Sequence, residues 1–174
     1  MTSQSNSVLT SSLKSFSHAS SLIVIAIGCL VLLGWILDIV ILKSVFPGLV
    51  TMKANTAMAF VLLGMSLWLL QSEQADQRMR RIAQAYALAV TFLGLLTLSE
   101  YLFGLNLGID QLLFKEPPEA AGPFSPDRMA PATALNFLLL ASALLLLDVE
   151  KRSIHYFSQS LTLLAGLISL LSLS

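Results

Sequence analysis

Two carboxylates in this chain stand where carboxylates are costly. Asp38 and Glu100 each lie inside a long apolar run, at nearly the same depth from its far end. Each has an aromatic companion: Trp35 one turn before Asp38, and Tyr101 next to Glu100. An acid in such a place either reaches headgroup water beside an interfacial ring or turns into a helix bundle to meet a ligand or partner. Asn55 and Thr56 open another apolar run, and Thr133 and Asn136 open a fourth. Their side chains suit capping of free backbone N–H groups, helix–helix glue or ligand contact. Trp35, Asp38, Asn55, Thr56, Glu100, Tyr101, Thr133 and Asn136 are therefore the candidate lining of a polar signal pocket.

Catalysis has no comparable support. The chain holds no HExxH and no GxSxG, and no histidine lies inside an apolar run to act as base. His18 and His155, with Cys29, are too few for a zinc site, and Cys29 sits among hydrophobic residues with no second cysteine to pair with. No metal or cofactor is expected. A haem held by the two histidines, a small transporter and a purely structural membrane subunit are competing readings. Ten basic and ten acidic residues give a net charge of zero, which leaves no electrostatic footprint for nucleic acid.

The elements that must position these residues are membrane helices. Of 174 residues, 56% are hydrophobic and only 11% charged, and mean hydropathy is +0.80, beyond ordinary soluble domains. The hydrophobic pattern predicts an all-α polytopic bundle with four full transmembrane helices over about 20–42, 54–70, 82–105 and 131–147. A fifth, over about 157–174, reads as truncated. Residues 1–19 read as a Ser/Thr-rich tail, disordered or interfacial, and 109–114 as a short surface helix. The proline-bearing connection over 106–129 is long enough to be a lid or binding loop.

The chain also repeats itself. Met52 to Leu70 and Met129 to Leu147, offset by 77 residues, agree at nine of nineteen positions. Five of those are leucines; the informative pairs are Met52/Met129, Thr56/Thr133, Ala57/Ala134 and Phe60/Phe137. Tandem two-helix repeats are expected, one over about 20–70 and one over about 82–147. Six basic residues in the tail, the second connection and the fourth, against four in the first and third, favour a cytoplasmic N-terminus. That orientation puts the candidate pocket in the outer half of the bundle.

GWILDI, FPGLVTMKANTAMAFVLLG and RMAPATALNFLLL resemble the N-terminal multi-helix membrane region of bacterial sensor proteins. Cyanobacterial-type sensor histidine kinases are the nearest parallel, and in them PAS, kinase or diguanylate cyclase domains follow. The resemblance covers about residues 30 to 174. It implies a sensory input module in the bacterial inner membrane, a homodimer formed through transmembrane helices, and downstream signalling domains or a response partner. It also implies an asparagine before the second Thr-Ala, where this chain has Ala132, and a third helix pair after the fifth segment.

Overall fold

The computed structural model describes residues 2–44, 51–72, 75–114, 128–147 and 152–172. Every regular element among the described residues is helical: α1 (Thr2–Ile36), α2 (Val40–Lys43), α3 (Ala54–Gln71), α4 (Gln77–Phe103), α5 (Pro131–Leu147) and α6 (Arg152–Leu171), with a single 3-10 turn at Ile109–Gln111. Among the described residues, three helices are long and apolar enough to cross a membrane: Ser12–Ile36 within α1, Ala54–Gln71 and Gln77–Phe103. Pro131–Leu147 and Tyr156–Leu171 are apolar but shorter.

The first helix starts far earlier than the apolar run that defines it. No proline or glycine interrupts residues 2–27, and the serines turn back onto their own helix. Ser20 Oγ donates to Phe16 O at 2.9 Å and Ser21 Oγ to His18 O at 2.8 Å. α1 also stops earlier than a continuous 20–42 helix would. Asp38 takes a left-handed conformation (φ 54°), Ile39 N donates to Gly34 O, and the chain turns out of the helix as at a Schellman C-cap. α2 then folds back over Gly34, where an added Cβ would lie 2.7 Å from Leu42 Cβ.

Two other boundaries have local causes. Lys53, not Asn55 or Thr56, occupies the N-cap of α3 and makes no side-chain cap bond, so the capping role expected of those two residues is not what the structure shows. At α4 the side chain of Asp76 accepts from Met79 N at 2.8 Å, which starts the helix at Gln77 and carries Arg78, Arg80 and Arg81 into its first turns.

Consecutive long helices run antiparallel, with α1 on α3, α3 on α4, α4 on α5 and α5 on α6. Two buried serines tie neighbours across the turns: Ser66 Oγ to Ala83 O at 2.8 Å and Ser158 Oγ to Ala143 O at 2.9 Å. The buried interior is largely alanine, including Ala57, Ala59, Ala83, Ala87, Ala134 and Ala141. Most of the large apolar side chains face outward, with Leu102 79% and Ile41 74% exposed. Small residues inside and large apolar ones outside is the arrangement expected where lipid replaces water, because close backbone packing rather than hydrophobic burial then drives association.

Between the long helices, close approach is explicit at Gly28, Gly94 and Gly64. A Cβ on Gly28 would lie 2.7 Å from Ala57 O, one on Gly94 2.9 Å from Ala134 O, and one on Gly64 2.7 Å from the Ile25 side chain. At mid-bundle the Phe60 and Phe137 rings meet edge to face, 5.1 Å apart and inclined at 77°. Such a pair contributes about 0.5–1.5 kcal/mol beyond its buried area.

Candidate functional site

The polar density of the bundle is concentrated at one end, where α4 finishes and α3 and α5 begin. Glu100, wholly buried, lies in the last turn of α4. Gly104 closes that helix in a left-handed conformation (φ 62°), and Gly108 (φ 71°) turns the chain again into the 3-10 turn. Leu107 N is thereby aimed back at the helix and donates to Glu100 Oε1 at 2.6 Å.

Arg128, just before α5, reaches into the same place. Its Nε lies 2.9 Å from Asp110 Oδ2 and 3.3 Å from Glu100 Oε2, and its Nη2 donates to Leu105 O at 3.2 Å. The three side chains are 8% (Arg128), 5% (Asp110) and 0% (Glu100) exposed. Burial works against the Arg128 charge, but the Asp110 hydrogen bond and the Glu100 and Asp110 charges prevail and hold its pKa above the ordinary value. It is a permanent cation between two carboxyl groups.

The cluster is also anchored to α3 and capped by aromatic groups. Asn55 Nδ2 donates to Ile109 O at 2.9 Å, which fastens the first turn of α3 to the 3-10 turn carrying Asp110. Tyr101 OH donates to Met129 O at 3.0 Å, and the Arg128 guanidinium stands 5.2 Å from the Tyr101 ring centre. Some buried polar capacity remains unspent. Asp110 Oδ1 and Thr97 Oγ1, the latter one turn before Glu100, accept or donate no hydrogen bond. One positive and two potentially negative groups in a nearly dry site leave a surplus negative charge. A proton, a cation or a structural rearrangement can neutralise it.

The residues singled out from sequence do not all converge here. Glu100, Tyr101 and Asn55 do. Trp35 is buried nearby in a separate cluster: its Nε1 donates to Met52 O at 3.0 Å, its ring lies 5.5 Å from Phe114, and Lys43 Nζ sits 4.5 Å from its centre. Asp38 does not join the interior. Its side chain is 90% exposed and accepts from Lys43 Nζ at 2.6 Å, a pairing that holds its carboxyl below the usual range. The left-handed turn at Asp38 is the physical reason, since it swings the side chain out of the bundle.

Thr56 is buried in the first turn of α3 and Thr133 half-buried in that of α5. Asn136 is used between helices, its Nδ2 donating to Ser169 Oγ on α6 at 3.0 Å, while its Oδ1 is buried without a partner. Arg128 and Asp110 escaped sequence reasoning, which counted the first only as a loop charge. The signal available was Glu100 itself, because an acid in an apolar run requires a nearby cation or donor. Most of the proposed lid, residues 115–127, lies outside the described residues.

Comparison with known protein families, curated proteins and solved structures finds no match to this chain.

Proposed function

We propose that this chain is the membrane-embedded input module of a bacterial signalling protein. In this account it lies in the inner membrane with its N-terminus in the cytoplasm, and α5 serves as a fourth span. It passes a signal from the outer end of the bundle to a cytoplasmic output domain or response partner. The observation that carries the proposal is the buried Glu100–Arg128–Asp110 cluster. It joins the end of α4, the 3-10 turn and the start of α5, and Asn55 extends it to α3. A change of protonation or ligation there has three helices to act on, which is what a switch between two packings requires.

The internal duplication fits the same account. Gly28 and Trp35 in α1 are seven residues apart, as are Gly94 and Tyr101 in α4. Gly28 meets Ala57 O and Gly94 meets Ala134 O; Trp35 bonds Met52 O and Tyr101 bonds Met129 O. The partners, Ala57 and Ala134 within α3 and α5 and Met52 and Met129 just before them, are each displaced by 77 positions. We read α1–α3 and α4–α5 as tandem copies in which only the second retains a buried acid. Two copies of the chain pairing through their outward helix faces would complete a signalling dimer.

The test is made in the source cell. Glu100→Gln is introduced at the native locus, its amount in membranes is compared with wild type by mass spectrometry, and genome-wide expression is profiled beside a deletion strain. Normal membrane levels with an expression profile displaced from wild type fit the input role. A profile that stays at wild type in Glu100→Gln, Arg128→Met and the deletion strain contradicts it.

A further inference from the structure

The opposite end of the bundle holds a cavity that the signalling account does not use. It has a volume of about 700 Å³ and lies between α1 and α3 on one side and α5 and α6 on the other. Its floor is Phe60, wedged edge to face against Phe137 at mid-bundle; Leu67 and Leu147 stand at its lip. From Phe60 to Leu67 is about two helical turns, or roughly 10 Å. The pocket thus runs from one polar boundary of the helices to their middle. Its walls are mostly hydrocarbon, and no Asp, Glu, Lys or Arg lines it among the described residues.

A dry apolar cavity of this kind takes apolar matter rather than water. Its size falls within the ordinary range for small-molecule sites, about 300–1,000 Å³. The lip is different in kind. Ser17, Ser20 and Gln159 line it, and Ser17 Oγ accepts a hydrogen bond from Gln71 Nε2. Neutral polar groups at the lip, above a hydrocarbon shaft, specify a ligand with two parts.

We propose that this cavity binds a single-chain amphiphile, its hydrocarbon tail between the Leu63/Leu67 and Leu140/Leu144 walls and its uncharged, hydrogen-bonding head at Ser17, Ser20 and Gln159. The ligand enters from the surrounding bilayer, because the cavity opens among outward-facing apolar side chains such as Leu163, which is 74% exposed. The site stands independently of the signalling role.

The test uses the full chain in phosphatidylcholine nanodiscs with a monoacylglycerol carrying a photoactivatable diazirine in mid-chain. Labelled residues are mapped by mass spectrometry. Saturable labelling of α3 around Leu63–Leu67 and of α6 around Ser158–Leu163, lost on adding unlabelled monoacylglycerol, is expected. Thr162→Trp, which fills the shaft, reduces that labelling to the level at outward-facing Leu95. Leu170→Phe, on a lipid-facing position of α6, leaves it intact and controls for folding. Labelling that does not saturate, that spreads evenly over the outer surface, or that a diazirine-bearing diacyl phosphatidylcholine reproduces overturns the proposal.

Discussion

Gly94 rests against the main chain of Ala134, so closely that a Cβ on the glycine would lie 2.9 Å from the alanine carbonyl oxygen. Gly28 has the same relation to Ala57, at 2.7 Å, whereas Gly166 in α6 has nothing within 4 Å. Alanine scanning of these glycines should therefore split by sign. Gly28→Ala and Gly94→Ala must push two helix backbones apart, an overpacking cost of about 1–3 kcal/mol. Gly166→Ala gains helix propensity of up to about 1 kcal/mol with nothing to displace. Thermal unfolding in detergent reads all three, and a destabilised Gly166→Ala would show that its apparent open space is filled.

Removing either member of the buried ion cluster should not cost the same. Arg128→Met leaves two buried carboxyl groups without their cation, a loss of about 3–5 kcal/mol. Glu100→Gln keeps an acceptor for Leu107 N and leaves Arg128 neutralised by Asp110, so it should cost distinctly less. Unfolding of the two variants at one pH gives the order. Equal losses would mean that Glu100 acts through shape and not through charge.

The aromatic anchors offer a matched pair. Trp35→Phe and Tyr101→Phe each delete one hydrogen bond, to Met52 O and Met129 O respectively, and each should cost about 0.5–1.5 kcal/mol. A near-identical loss supports equivalent roles at the two helix junctions. A loss confined to Trp35 would place the weight on its contacts with Phe114 and Lys43 instead.

Asp38 carries the pH dependence that can be assigned a sign. Its folded pKa lies below the unfolded value because Lys43 hydrogen-bonds it and attracts its charge. Its contribution is thus present above the unfolded pKa and is lost as pH falls through the folded one, in the acid range below pH about 4. The pair is exposed, so the effect is small and salt should weaken it. Asp38→Asn should flatten the acid limb of the melting temperature slightly. Asp38→Val should destabilise at every pH, because a β-branched residue resists a φ of 54°. Asp38→Val melting like wild type would contradict the left-handed turn.

Helical character and membrane-length runs were legible because both are written in local composition. Leucines and alanines without interruption leave few other solutions, and Pro131 opens α5 where the pattern put it, whereas the Asp76 cap starts α4 at Gln77 and not at the expected 82. What composition could not give was direction. Asp38 and Glu100 looked alike at one depth and beside one aromatic residue, yet a C-cap turn sends the first to solvent and an uninterrupted helix keeps the second inside. Asn55 read as a cap because capping is local, whereas its partner Ile109 is 54 residues away. Arg128 and Asp110 flank a long connection, and only folding shows that it brings them together.

In the proposed input module Glu100 mechanically couples α3, α4 and α5 at one end of the bundle. Hydrogen–deuterium exchange on wild type and Glu100→Gln in nanodiscs tests it most directly. The account predicts faster exchange in the variant at Ala57 in α3, at Gln111 and Leu112 beside Asp110, and at Ala134 in α5, with Ser72 and Met79 at the far end unchanged. Exchange altered only around Leu107, the group that Glu100 bonds, would contradict it: Glu100 would then be a helix-end fastening and not a coupling element.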